Sequence, residues 1–252
     1  MKGGVKVKIN YIQVNQYTRP GIKLKGIIKI VMHYTADPGA TAQNEHDYFN
    51  GPAIQEKHFA SAHIFIDKTE AICIIPLDEV AYHANDVEAR NADGSPYRGV
   101  EVLKPNANFL SIGIEMCIEK DGSFHPDTVS RAVDEVAALC KQFNLDPLND
   151  IVRHYDVTKK ICAAAWAKSP TLFDEFKKNV FEKLNAPKAL GKITIIANHL
   201  NLRDQSSMDG NVLKVLNKGE VYTVFAEKNG FYNVGQAHWC SASPKYVSFK
   251  AN

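Results

Sequence analysis

The sequence lacks the features of a membrane protein and of a disulfide-stabilised secreted protein. No apolar run in its 252 residues approaches the ~20 residues that span a bilayer, so we expect no membrane partner. The opening MKGGVKVKIN has lysines but no apolar stretch behind them, so we expect no signal peptide and synthesis in the cytoplasm. Five scattered cysteines, an odd number, favour reduced thiols over a disulfide framework.

Acidic residues are absent from the first thirty positions, which contain seven lysines or arginines. Residues 188–252 carry a net charge of +4, so residues 31–187 must carry −9 to give the overall +2. Basic ends around an acidic middle fit contact with anionic cell-wall polymers or nucleic acid, and fit a solvated surface equally well. Because no aromatic-and-basic stripe typical of single-strand binding is present, we expect no nucleic-acid partner.

Helical patterns are absent beyond Leu184, and this absence divides the chain. Before that point, apolar periodicity predicts strands at 28–35, 109–119 and 150–157, a hairpin within 61–76, and helices at 41–49, 125–144 and 169–184. After it come five short strand-like runs, typical of a small barrel. We therefore predict an α/β mixed sheet flanked by helices in residues 1–187 and an all-β SH3-like barrel in residues 188–252.

Two histidines stand at the ends of predicted strands. His33 ends the first strand and His154 lies in the short strand at 150–157, while Cys162 follows eight residues later. Sites collect at strand ends in α/β sheets, and two imidazoles with one thiolate can hold zinc with one position open for water. No His-Glu-x-x-His motif fixes the assignment by spacing, so unrelated surface or core residues remain an alternative from the residues alone.

Five motifs carry a family resemblance: KIVMHYTA, ASAHIFID, VAYHAN, LSIGIEM and RHYDVTKKIC…W. Their order resembles that of the type-2 zinc N-acetylmuramoyl-L-alanine amidases, which include phage endolysins and, more distantly, the peptidoglycan recognition proteins. The resemblance covers roughly residues 10–180. It implies a mixed sheet with zinc at one end, and hydrolysis of the amide between N-acetylmuramic acid and L-alanine of the stem peptide.

Matched by motif, the resemblance implies that His33, His154 and Cys162 are the zinc ligands. It implies that Glu115 is the general base and that Lys160 stabilises the oxyanion. Strand alternation agrees for Glu115, which faces away from its apolar neighbours in the strand. Without the family, a salt-bridged glutamate and a solvated lysine would be the simpler interpretations.

Three more residues in the matching motifs, His63, His83 and Asn85, are predicted to line the substrate groove. The remaining histidines lack motif support and are expected at the surface: His46, His58, His125, His199 and His238.

The loop around Cys162 departs from the family pattern. Alanines at 163–165 replace the usual prolines, each of which would stabilise the loop by ~0.4–1 kcal/mol. Lys159 stands where the family commonly has glycine. We expect a looser loop that nevertheless keeps its ligand.

The C-terminal motifs LNLRDQSS, VLNKGE and NGFYNVG resemble bacterial SH3-like domains and imply a wall-binding module. The leading hypothesis is a monomeric endolysin that acts on peptidoglycan after release from the cell. The alternatives are a peptidoglycan-binding module without catalysis and a bacterial autolysin. The first is disfavoured because every catalytic position is filled, and the second because no export signal is evident.

Overall fold

The computed structural model describes residues 7–162 and 164–252. The chain forms two compact units, residues 1–185 and 186–252. This division lies two residues from the boundary expected near residue 187. Lys2, Lys6 and Ala163, which entered the sequence-based predictions, lie outside the described residues.

The first unit is built on a mixed sheet. Its strands are β1 (Lys8–Ile9), β2 (Lys29–Tyr34), β3 (Ile64–Ile66), β4 (Ala71–Cys73), β5 (Ser111–Met116) and β6 (Ile151–Arg153). Their order is β1-β4-β3-β5-β2-β6, and only the β3–β4 hairpin is antiparallel among the described pairs. The helices are α1 (Ala42–Phe49), α2 (Pro52–Gln55), α3 (Pro126–Phe143), α4 (His154–Thr158), α5 (Ala164–Lys168) and α6 (Pro170–Asn185). The mixed α/β prediction is confirmed.

Local signals in the sequence set the helix ends. Thr41 caps α1 by accepting a hydrogen bond from the backbone N–H of Asn44, as predicted. The helix α3 begins at Pro126 and ends at Phe143, and Asn144 caps it with a left-handed φ of 54°. None of the helices in the described ranges is both long and apolar enough to cross a membrane.

The alternation of β5 separates a core from a functional face. Ile112, Ile114 and Met116 are fully buried in an apolar cluster that includes residues of α3 and α6. Burying each such side chain contributes roughly 1.5–3 kcal/mol. Gly113 and Glu115 therefore face the other side of the sheet, as the sequence pattern predicted.

The second unit is all-β, as predicted. Its strands are β7 (Gly191–Ile195), β8 (His199–Arg203), β9 (Val212–Asn217), β10 (Val221–Val224), β11 (Ala226–Lys228), β12 (Phe231–Asn233), β13 (Trp239–Ser241) and β14 (Val247–Ala251). They form antiparallel sheets of order β10-β7-β14 and β11-β12-β13-β8-β9 around an apolar core. Five predicted runs thus become eight described strands, because one long run breaks into three and the short β13 was missed.

Candidate functional site

Three buried side chains of metal-binding type converge at the carboxyl end of β2. His33 lies on β2, His154 is the first residue of α4 directly after β6, and Cys162 lies in the following loop. Because β2 and β6 are parallel neighbours, their carboxyl ends meet at one edge of the sheet. One donor atom from each of the three residues lies within 4.8 Å of the other two.

A chain of hydrogen bonds fixes which nitrogen of His33 faces the cluster. The Ser111 hydroxyl donates to the carbonyl of Ala107 at 2.7 Å, so its oxygen is left to accept from His83 Nε2 at 3.4 Å. His83 Nδ1 then accepts from His33 Nε2–H at 3.1 Å. This network leaves the lone pair of His33 Nδ1 directed toward Cys162 Sγ, 3.6 Å away.

His154 is held by a carboxylate. Its Nε2 lies 2.5 Å from an oxygen of Asp86, whose other oxygen accepts from the hydroxyl of Thr158 at 3.2 Å. Burial raises the pKa of Asp86, but the bond from His154, together with the nearby positive charges of His154 and Lys160, holds that pKa below its ordinary value. Within the described residues, buried His154 Nδ1 has no hydrogen-bond partner. A carboxylate on one ring nitrogen and an open lone pair on the other is the arrangement of a metal-ligating histidine.

The electrostatics of the cluster suit a metal cation. Burial, followed by the nearby His154 and His83, lowers the pKa of His33 well below its ordinary value, so its imidazole is neutral. Neutral imidazoles and a thiolate are the donors that zinc prefers. His154 Nδ1, unpartnered within the described residues, offers the second imidazole donor. The residues present therefore fit a zinc ion with one coordination position left over.

Glu115 lies beside this cluster on β5, in register with His33 on β2. It lines a cavity of about 220 Å³ together with the three potential ligands and Lys160. Its Oε2 is buried and has no hydrogen-bond partner in the described part of the chain. Burial, reinforced by Glu45 and opposed by Lys160, raises the pKa of Glu115 to about 8. This carboxyl group can therefore take up and release a proton near neutral pH.

Lys160 reaches the cavity from a turn whose left-handed residue is its neighbour, Lys159. Lys159 ends α4 with a φ of 69°, a left-handed conformation that costs a non-glycine residue about 1–2 kcal/mol. Its ammonium lies 5.0 Å from the ring centroid of Tyr97 and 4.8 Å from that of Tyr155. These cation–π contacts offset the cost, and they explain how lysine can occupy a position where the family commonly has glycine.

The substrate-binding prediction for His63 is wrong. The side chain is fully buried, its Nε2 donates to the carbonyl of Glu79 at 2.9 Å, and its Nδ1 accepts from the N–H of Gly113 at 3.0 Å. Burial lowers the pKa of His63 to about 4, so its ring is neutral. Because one ring nitrogen donates and the other accepts, neither is left for a substrate. His83 lines the cavity while its ring nitrogens bond to Ser111 and His33, and its predicted substrate contact stays a prediction.

Asn85 lines a second cavity of about 400 Å³ that also reaches Lys160, and its predicted substrate contact stays a prediction. The sequence analysis missed Asp86 as a partner of His154. The available signal was an acidic residue directly after the VAYHAN motif. The surface prediction for His46 is also wrong, because His46 is buried in α1.

The chain matches known amidases in sequence. The profile described as N-acetylmuramoyl-L-alanine amidase matches residues 24–165. The N-acetylmuramoyl-L-alanine amidase BlyA of Bacillus subtilis (strain 168) is 60% identical over 176 residues, which cover 70% of this chain and 47% of BlyA. CwlL of Bacillus licheniformis is 49% identical over 211 residues, 83% of this chain and 54% of CwlL. The chain thus spans about half the length of these curated relatives.

Solved structures share the fold of the first unit. A mutant endolysin from Bacillus subtilis aligns with a TM-score of 0.54 and 28% identity, covering 70% of this chain and 99% of its own. The catalytic domain of XlyA aligns with a TM-score of 0.54 and 26% identity over 70% and 99% of the two chains. Sequence and fold agree, and the chain belongs to the N-acetylmuramoyl-L-alanine amidase family.

Proposed function

We propose that this protein hydrolyses the amide between the lactyl group of N-acetylmuramic acid and L-alanine of the stem peptide, with zinc held by His33, His154 and Cys162. The observation that carries the proposal is the convergence of these donors, including the vacant His154 Nδ1, in the cavity lined by Glu115 and Lys160. When bound, zinc supplies Lewis acidity that activates water at neutral pH.

The two remaining polar groups divide the proton and charge chemistry. Glu115 takes a proton from the attacking water and passes it to the amine of the departing L-alanine, a role that its pKa of about 8 suits. Lys160 donates from its ammonium to the carbonyl oxygen as negative charge develops there. Both groups line the same cavity as the metal-binding cluster, which supports catalysis over binding alone.

The biological role that we propose is that of a monomeric endolysin, acting on the bacterial wall after release from the cytoplasm. The likeness to a mutant endolysin from Bacillus subtilis supports this role. A peptidoglycan-binding module without activity is the alternative, and the presence of both Glu115 and Lys160 argues against it.

We further propose a catalytic domain in residues 1–187 and an SH3-like, wall-binding domain in residues 188–252. The net charge of +4 supports attraction to anionic wall polymers. A groove of about 290 Å³ lined by Arg203, Met208 and Tyr246 offers a binding surface. The isolated second unit, which has its own apolar core, should sediment with intact walls, and less so in high salt. If the isolated unit stays in the supernatant at low salt, it does not bind the wall and its role is structural.

Digestion of purified peptidoglycan tests the activity itself. We expect mass spectrometry to find released peptides with a free L-alanine amino group and no new reducing sugar ends. A chelator should abolish this release, and added zinc should restore it. New reducing ends as the main product would identify a glycosidase instead.

A further inference from the structure

Three aromatic side chains form a continuous ridge at the surface of the first unit. Phe59 stands in the middle, with ring centroids 5.1 Å from Tyr17 and 5.9 Å from Tyr82 in edge-to-face geometry. The Phe59 side chain is nevertheless 61% exposed. An exposed ring held by two others is a flat apolar surface presented to solvent. We refer to Tyr17, Phe59 and Tyr82 as the aromatic ridge.

Backbone contacts hold this ridge in place before any ligand binds. Lys57 has a φ of 57°, which turns the chain away from α2 just before Phe59. The N–H of Tyr82 donates to Ser61 Oγ, and the N–H of Ser61 donates to the carbonyl of Tyr82, both at 3.0 Å. Because these contacts already order the aromatic ridge, a ligand that binds there loses little free energy to the ordering of side chains and loop.

The ridge borders a groove that leads to the proposed catalytic site. The groove has a volume of about 400 Å³, and Phe59, Tyr82, Asn85, Asn108 and Lys160 lie along it. Tyr82 and Lys160 also line the cavity that contains the metal-binding cluster. A substrate whose amide lies at the cluster therefore extends naturally into this groove.

The asparagine amides of the groove offer hydrogen-bond donors that suit an N-acetyl group. The amide oxygens of Asn85 and Asn108 accept hydrogen bonds from Arg98 and from two backbone N–H groups. Within the described residues their amide nitrogens donate to no partner, so they can donate to an N-acetyl carbonyl.

We propose that Phe59 is a stacking platform for an N-acetylhexosamine ring of the glycan strand, and that the groove beneath the aromatic ridge is the glycan subsite. One face of such a ring carries only C–H groups, which pack against the aromatic surface, while the N-acetyl group reaches Asn85 and Asn108. This inference rests on the proposed function, because it assumes that peptidoglycan is the substrate.

Binding of the two separated halves of the substrate tests the subsite. The full chain and its Phe59→Ala and Phe59→Leu variants are titrated calorimetrically with peptide-free glycan oligomers and, separately, with free stem peptide. We expect both variants to bind glycan about tenfold more weakly, because leucine keeps the apolar bulk but not the flat face. Stem-peptide affinity should not change. Phe181→Ala, which removes a 41% exposed ring from α6, is the matched control and should alter neither affinity.

Unchanged glycan affinity in both Phe59 variants would overturn the proposal, as would glycan binding too weak to measure in the unmodified protein. A loss of stem-peptide affinity instead would assign the ridge to the peptide. The titrations need no turnover, so failure of the proposed amidase activity appears separately, as the absence of L-alanine amino groups after wall digestion. On intact peptidoglycan, Phe59→Ala should raise KM rather than lower kcat.

Discussion

The two units bury different kinds of side chain. In the first unit, several histidines and glutamates are less than a tenth exposed, among them His33, Glu45 and Glu135. In the second unit, the buried side chains in the described residues are apolar apart from Asn233. The first unit therefore buries ionisable groups, some of them in the proposed site, whereas the second unit buries almost only apolar ones.

The difference has a thermodynamic meaning. A buried polar atom without a hydrogen bond costs about 1–3 kcal/mol, and the first unit has several such atoms, including His154 Nδ1 and Glu115 Oε2. The large apolar core on the opposite face of its sheet offsets that cost. The second unit stores no comparable strain in its core, so its proposed binding function must lie on its surface.

Two buried cysteines provide the strongest test of this contrast. Cys162→Ala should remove zinc from the protein and abolish turnover, because a site with two imidazoles holds zinc poorly. Cys240→Ala in the second unit should keep full zinc content and lose only on the order of 1 kcal/mol of stability to a small cavity. Elemental analysis, wall digestion and thermal denaturation give the three readouts.

Either of two results would contradict this comparison. Full zinc content in Cys162→Ala would exclude the thiolate as a ligand. Loss of zinc in Cys240→Ala would show that metal retention reports general stability and not the cluster.

Glu115→Gln should have the next largest effect. The amide has the shape of the protonated carboxyl but cannot accept the proton of the attacking water, so we expect turnover to fall by roughly 10²–10⁴. Zinc content should stay near that of the unmodified protein, since Glu115 is not a ligand, and the thermal midpoint should not fall, since the change removes a buried charge. Near-normal turnover would remove Glu115 from the mechanism, and loss of zinc would identify it as a ligand or a structural residue.

Asp86→Asn should weaken metal binding without removing it. Loss of a carboxylate partner behind a ligating histidine typically lowers metal affinity about 10–100-fold. Competition with a chromogenic chelator would measure the change. Asp78→Asn, which alters an exposed carboxylate paired with Lys23, is the matched control and should leave affinity unchanged. Equal affinities for the two variants would mean that Asp86 does not support His154.

Features encoded by neighbouring residues were predictable, and features that depend on distant contacts were not. The cap at Thr41 and the outward face of Glu115 follow from a few adjacent positions. Asp86 meets His154 across 68 residues, so no local pattern could pair them. His63 looked like a groove residue because its motif says nothing of Glu79, whose carbonyl occupies one of its ring nitrogens.

A second buried carboxyl, remote from the proposed chemistry, allows the stability cost to be measured by itself. Glu135 on α3 is 6% exposed, and its Oε1 has no partner in the described ranges. Burial, with a smaller contribution from Asp134 and opposition from Arg131, raises its pKa from 4.5 to about 7.

The sign of its pH dependence follows directly. Between pH 4.5 and about 7 the folded state binds this proton more tightly than the unfolded state, so stability falls as pH rises through that window. The glutamine of Glu135→Gln is neutral at every pH. At pH 8 this variant should raise the free energy of unfolding of the first unit by roughly 1 kcal/mol, which corresponds to a thermal midpoint about 2–4 °C higher. The gain should vanish near pH 4. Exposed Glu182→Gln on α6 is the control and should give no gain at either pH. An equal gain at both pH values would mean that packing, and not ionisation of the buried carboxyl, separates the variants.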